Sequence, residues 1–176
     1  MENTYIKPPR TIQEVFESLP EGTLAQLINN QIIMSPAPTD NHQKVLIKIS
    51  SQLFNYVEQH RLGEVRAAPY DVYLNRRNVY QPDIVFIANE NLHKIKRNGL
   101  HGAPDLVIEV LSPGTWHYDK GEKKDEYERS GVKEYWMVDP ADKTVEGFFL
   151  AGDEFQPISI SEGSIAFKLL PFSFQF

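Results

Sequence analysis

The stretch Pro104-Asp105-Leu106-Val107-Ile108-Glu109-Val110-Leu111-Ser112-Pro113-Gly114 constrains this chain most. Its centre is apolar on both faces and is bounded by Pro and Gly, the pattern of a strand covered above and below rather than one with a wet side. Glu109 lies in the middle of it. A carboxylate withdrawn from water is costly or takes up a proton unless a cation, a donor or a metal is at hand. A second stretch, residues 79–88, has the same character, with Asp83 beside Pro82, which cannot donate to a sheet ladder. If the two strands are neighbours, Asp83 and Glu109 face each other at the spacing a divalent ion requires. The competing reading is that Pro-Asp merely begins each strand and that Glu109 makes a structural ion pair. The residues alone leave both open.

With 176 residues, 41% hydrophobic and 24% charged, the chain has material for a real core, and one globular domain over residues 1–176 is expected. Residues 1–10, with Pro8-Pro9, read as an arm. No apolar run approaches the ~20 residues of a membrane span, and the first residues lack the layout of a signal peptide. A soluble cytoplasmic protein without membrane contact is therefore expected. Without cysteine, thiolate sites are excluded. Any metal must be held by carboxylate, carbonyl, imidazole or water, which suits magnesium or manganese. The net charge of -6 argues against a broad electrostatic footprint for nucleic acid and leaves only local basic clusters, such as Lys120 with Lys123-Lys124.

Apolar spacing predicts a short helix over residues 11–19, a hairpin of residues 24–28 and 31–34 turning at Asn29-Asn30, and a long helix from a cap at Thr39, Asp40 or Asn41 to about His60. His42 falls on that helix's apolar stripe, where a hydrogen-bonded core or capping role competes with a ligand role. Strands are expected at 64–68, 71–74 and 79–88, with Asp83 on the returning arm of a hairpin, and a short helix plus loop at 89–102. A helix at 116–130 ends at Gly131. Trp116, Lys120, Lys123 or Lys124, and Tyr127 share one face of it. Either the lysine stems lie along the sheet with their amines in water, or one amine meets Asp83 and Glu109; Lys124 is assigned to that place by position. Strands at 132–138, 144–150, 155–160 and 165–169 complete the chain. No Gly-rich phosphate loop, HExxH or Gly-x-Ser-x-Gly elbow is present.

Gln81-Pro82-Asp83-Ile84-Val85-Phe86, the run from Gly102 to Pro113, Asp119 with Lys124 and Tyr127, and Gly131-Val132-Lys133-Glu134-Tyr135-Trp136-Met137-Val138-Asp139-Pro140 together resemble the Uma-type family of restriction endonucleases, in the PD-(D/E)XK nuclease superfamily. The resemblance covers residues 12–150. It implies an α/β (α+β) restriction-endonuclease-like core, a mixed central sheet flanked by helices, here with an extra N-terminal hairpin and C-terminal strands. It further implies a metal-dependent hydrolase cutting phosphodiester bonds of nucleic acid, with DNA as the expected partner and Mg or Mn as cofactor. Asp83 and Glu109 would hold the ion, Lys124 would complete the catalytic set, and Gln26, His42, Tyr127 and Lys120 would form the rim. Two departures stand out. The superfamily's lysine, two residues after the acid, is replaced by Leu111, and relatives commonly carry Glu where this chain has Gln26. The resemblance moves the basic group to the following helix, at Lys124, but the missing Glu at position 26, the acidic pI and the lack of a broad basic surface make a catalytically inactive nuclease-fold binding or scaffold protein the alternative. By analogy alone, a homodimer would allow both strands to be cut.

Overall fold

A computed structural model describes residues 8–176, so the expected arm over 1–10 lies largely outside the described residues. Helix α1 (Ile12–Glu17) starts where the Thr11 hydroxyl accepts the Glu14 N–H. Strands β1 (Ala25–Ile28) and β2 (Gln31–Met34) form the expected hairpin, and Asn29 and Asn30 supply its left-handed turn at φ 48 and 67. Helix α2 (Asp40–His60) is capped by Thr39 and buries Val45, Leu46, Ile49, Leu53 and Val57 along one stripe. It ends at Arg61, which adopts the left-handed conformation of a helix C-cap.

Next come β3 (Gly63–Ala67), β4 (Val72–Asn75), β5 (Asn78–Tyr80) and β6 (Ile84–Ala88), then a 3-10 helix (Asn89–Lys94). They are followed by β7 (Ile95–Lys96), β8 (Gly99–His101) and β9 (Leu106–Val110). The chain continues through α3 (Trp116–Lys120), α4 (Glu122–Ser130), β10 (Glu134–Val138), β11 (Thr144–Ala151) and β12 (Glu154–Glu162). A last pair, β13 (Ser164–Ala166) and β14 (Ser173–Gln175), closes it. The polar 89–102 segment thus contains a β7–β8 pair that polarity concealed, and β14 has no counterpart among the expected strands.

The central sheet is six-stranded in the order β12-β11-β10-β9-β6-β3, mixed because β9 and β10 run parallel while the other neighbours are antiparallel. A parallel pair needs a crossover, and α3 with α4 supplies it. One face buries Ile84, Phe86, Leu106, Ile108 and Trp136 against α2 and the C-terminal residues. The other buries Val85, Val107, Tyr135 and Met137 against Tyr127 of α4 and against Val72, Tyr80 and Leu100 of a second sheet, β2-β1-β5-β4-β8-β7. Gly147 is needed where β11 passes Trp136, since a Cβ there would fall 2.3 Å from the indole ring.

Two expectations are corrected. Residues 79–88 do not form one strand. The segment breaks at Gln81-Pro82-Asp83, with β5 completing the β4 hairpin in the second sheet and β6 joining the central sheet beside β3 and β9. Pro82 offers no N–H to a ladder, so the chain changes sheets there. Nor is 116–130 one helix. Gly121, at φ -115 and ψ -107, separates α3 from α4 and resets which side chains face the sheet.

Candidate active site

β6 and β9 pair antiparallel with Ile84 opposite Ile108, so one further step sets Asp83 opposite Glu109, on the face of the sheet that α4 covers. All of β9 is buried, Glu109 included at 3% exposure. The Asp83 N–H donates to Glu109 Oε2 at 3.3 Å, and the Val110 N–H donates to Asp83 Oδ2 at 2.8 Å. Two acids distant in the chain are thus laced together, Glu109 by the N–H of Asp83 just before β6 and Asp83 by the N–H of Val110 in β9.

The cation they share is Lys123, not Lys124. Lys123 Nζ lies 2.5 Å from Glu109 Oε1 and 2.8 Å from Asp119 Oδ1, and its side chain is 3% exposed. Lys124 points to β11, its amine 4.0 Å from the Phe148 ring centroid. The cause is local. The Tyr127 hydroxyl donates to Glu109 Oε1 at 2.8 Å, which fixes the inward face of α4, and the residue one full turn earlier on that face is Lys123. Asp119, from the preceding α3, meets the same amine across the Gly121 break. Its carbonyl accepts the Tyr135 hydroxyl at 2.9 Å.

The residues expected at the rim divide three ways. Gln26 and His42 line the same pocket as Asp83, Glu109, Asp119 and Lys123. Gln26 is tethered there, its Oε1 accepting the Gln81 N–H at 3.0 Å. Tyr127 lies underneath, wholly buried, as a support for Glu109 rather than a rim residue. Lys120 turns outward, pairs with Glu146 at 2.7 Å and borders a neighbouring hollow instead. Asp119 received no role from the sequence, although its spacing of one turn before Lys123 was the available signal.

Charge is unevenly shared in the pocket. Burial opposes a charge on Lys123, but Asp119 and Glu109 outweigh it and hold the amine well above its usual range. Burial lifts the Glu109 carboxyl, and the repulsion of Asp119 and Asp83 adds to it against the pull of Lys123, so its pKa is pushed up to about 8. His42 Nε2 lies 3.3 Å from Asp83 Oδ2. Burial works against the imidazolium, yet Asp83, the Val110 backbone and Glu109 raise its pKa on balance. Lys123 is therefore a fixed cation and hydrogen-bond donor, unsuited to act as a base at neutral pH.

The donor set suits a hard cation. Among the described residues Glu109 Oε2 has only the long bond from the Asp83 N–H, and no bond engages Asp83 Oδ1. The Asp83 side chain, 16% exposed, is the accessible edge. No cluster of three or more His, Asp or Glu suited to a metal occurs among the described residues. An ion here would complete its shell with water, carbonyl or substrate oxygens, which is the habit of magnesium.

Residues 13–176 match the Uma2 family, described as "Putative restriction endonuclease". A crystal structure from Anabaena variabilis, described as "a putative nuclease", superposes with a TM-score of 0.70 at 20% identity, covering 85% of this chain and 84% of that one. Comparison with curated proteins gave no match. Among the described residues no helix is long and apolar enough to cross a membrane.

Proposed function

Because this chain belongs to the Uma2 family, we propose that it is a divalent-metal-dependent nuclease that hydrolyses phosphodiester bonds of DNA, with Asp83, Glu109 and Lys123 at its catalytic centre. The observation that carries this reading is the buried Lys123 amine, 2.5 Å from Glu109 and 2.8 Å from Asp119 in the pocket that Asp83 lines. Asp83 and Glu109 would hold a magnesium or manganese ion, which when bound lowers the pKa of water and offsets charge on the phosphate.

The chain's own groups account for the rest. An ammonium has three N–H donors. Two are directed at Glu109 and Asp119, leaving the third for an attacking water or a phosphate oxygen. Asp119 keeps that amine aimed and charged. The Val110 N–H and His42 converge on Asp83 Oδ2, so the other carboxylate oxygen of this pocket-lining residue is the one left for an ion. Tyr127 holds Glu109 from below. With its pKa raised, Glu109 would give up a proton as an ion binds, so binding should strengthen with rising pH.

Supercoiled plasmid and circular single-stranded DNA, incubated with Mg²⁺ or Mn²⁺, provide the test. Cutting is expected with metal, is abolished by chelator, and is lost in Asp83→Ala. Cutting that survives Asp83→Ala unchanged places the chemistry elsewhere. A second reading, a binding protein without turnover, is favoured by the neutral Gln26 in the pocket wall. It predicts DNA binding by the native protein with no cutting under any metal.

A further inference from the structure

Trp116 is 49% exposed, although the other tryptophan, Trp136, is fully buried in the core. It stands at the start of α3, in a tight turn where its N–H and that of Thr115 donate to the Ser112 carbonyl at 3.0 and 3.1 Å. The indole walls a hollow of about 390 Å³, in the range of sites that hold small organic groups. Leu111, Pro113 and Pro140 give this hollow an apolar lining, Asn41 and Lys120 stand at its sides, and the one acid among the described residues of its wall, Asp139, is engaged by the Ala141 N–H at 2.8 Å. Asn41 donates its amide to the Pro140 carbonyl and so ties the start of α2 to the turn after β10. Among the described residues the Lys120 amine, one helical turn from Trp116, pairs with the partly exposed Glu146.

The hollow adjoins the candidate active site. Ser112 borders both, and Asn41 in the one is followed by His42 in the other. An aromatic face with an apolar lining and an amine beside a phosphate-cleaving centre is the chemistry of a stacked nucleobase with its backbone alongside. We propose that this hollow takes an unstacked base next to the scissile phosphate, stacked on Trp116, so that the preferred substrate is a single strand rather than an intact duplex. The inference rests on the nuclease reading above and specifies its substrate. Bases within a duplex are stacked on one another and cannot reach the indole. A chain of net charge -6 is also poorly suited to gain affinity from many duplex phosphates, whereas base stacking does not depend on charge.

The exposed indole makes the test direct, since Trp136 is shielded from added ligand. In EDTA, a single-stranded DNA oligonucleotide should quench the emission of the native protein, and an RNA of the same sequence shows whether the sugar matters. Trp116→Ala should bind the labelled strand about tenfold more weakly, Trp116→Phe should recover most of the loss, and the matching duplex should bind more weakly and be indifferent to both changes. With metal, Trp116→Ala should raise KM for the single strand and leave kcat nearly unchanged. Equal binding by native and Trp116→Ala, a Phe variant no better than Ala, or a duplex that binds as well as the single strand overturns the proposal. If the native protein cuts DNA while Trp116→Ala behaves identically, the nuclease reading stands and the base subsite falls. If the native protein neither binds nor cuts, both fall.

Discussion

Lys123→Met lowers the rate of metal-dependent cleavage by about 10²–10³-fold, the usual cost of removing one preorganised donor from a developing oxyanion. Lys124→Met leaves the rate essentially unchanged. The two lysines are adjacent in sequence, of identical chemistry, and separated only by the direction the helix gives them. Lys123 is buried between Glu109 and Asp119, whereas Lys124 lies over the Phe148 ring, an interaction worth about 0.5–1 kcal/mol at an exposed site. Lys123→Arg should rescue poorly, because a planar fork cannot replace a compact ammonium in a closed pocket. Initial rates on both DNA forms, with melting curves to show that each variant is folded, make the comparison. A large loss in Lys124→Met, or none in Lys123→Met, would reverse the assignment.

Glu109→Gln abolishes cleavage and yet stabilises the metal-free protein, increasingly so as pH rises. The Glu109 carboxyl has a folded pKa of about 8 against 4.5 in the unfolded chain. Below 4.5 both states hold the proton, and the group adds no pH-dependent penalty. Between 4.5 and about 8 the unfolded chain releases its proton while the folded chain retains it, so the native protein loses stability with each step in pH. Above that range the loss is constant. Glutamine cannot ionise and escapes it. The gain at neutral to alkaline pH should be on the order of a few kcal/mol. His42, also raised, acts with the same sign in both proteins. Urea unfolding midpoints of native and Glu109→Gln protein in chelator, from pH 4 to 9, measure the difference. If Glu109 were only half of a stabilising ion pair, the substitution would cost stability at neutral pH, by about 3–5 kcal/mol for a broken buried pair.

Much of this architecture was legible because the decisive signals are local. The apolar run around Glu109 forms a strand buried along its whole length, and Asn29-Asn30 turn the first hairpin. The stripe from Val45 to Val57 faces the sheet as its spacing requires. Two acids each placed in an apolar stretch marked Asp83 and Glu109, but their pairing was conditional on neighbouring strands, and the sheet order supplies that condition. Residues 79–88 misled because hydrophobic continuity does not reveal a change of partner. Pro82 marks the break, but only the tertiary structure shows β5 and β6 in different sheets. The choice between Lys123 and Lys124 depended on helix phase. A continuous helix from Trp116 suggests one phase, and the interruption at Gly121 imposes another. Both lysines lie within the second segment, where Lys123 stands four residues before the inward Tyr127, and that one-turn spacing identifies the inward amine.

Calorimetric titration of Mn²⁺ into native and Asp83→Asn protein tests most directly whether these acids form a metal centre. The native protein should show a saturable site whose apparent heat varies with the ionisation enthalpy of the buffer, because Glu109 releases a proton on binding, and Asp83→Asn should show none. Equal binding by the two proteins, or no binding by the native chain, contradicts the account.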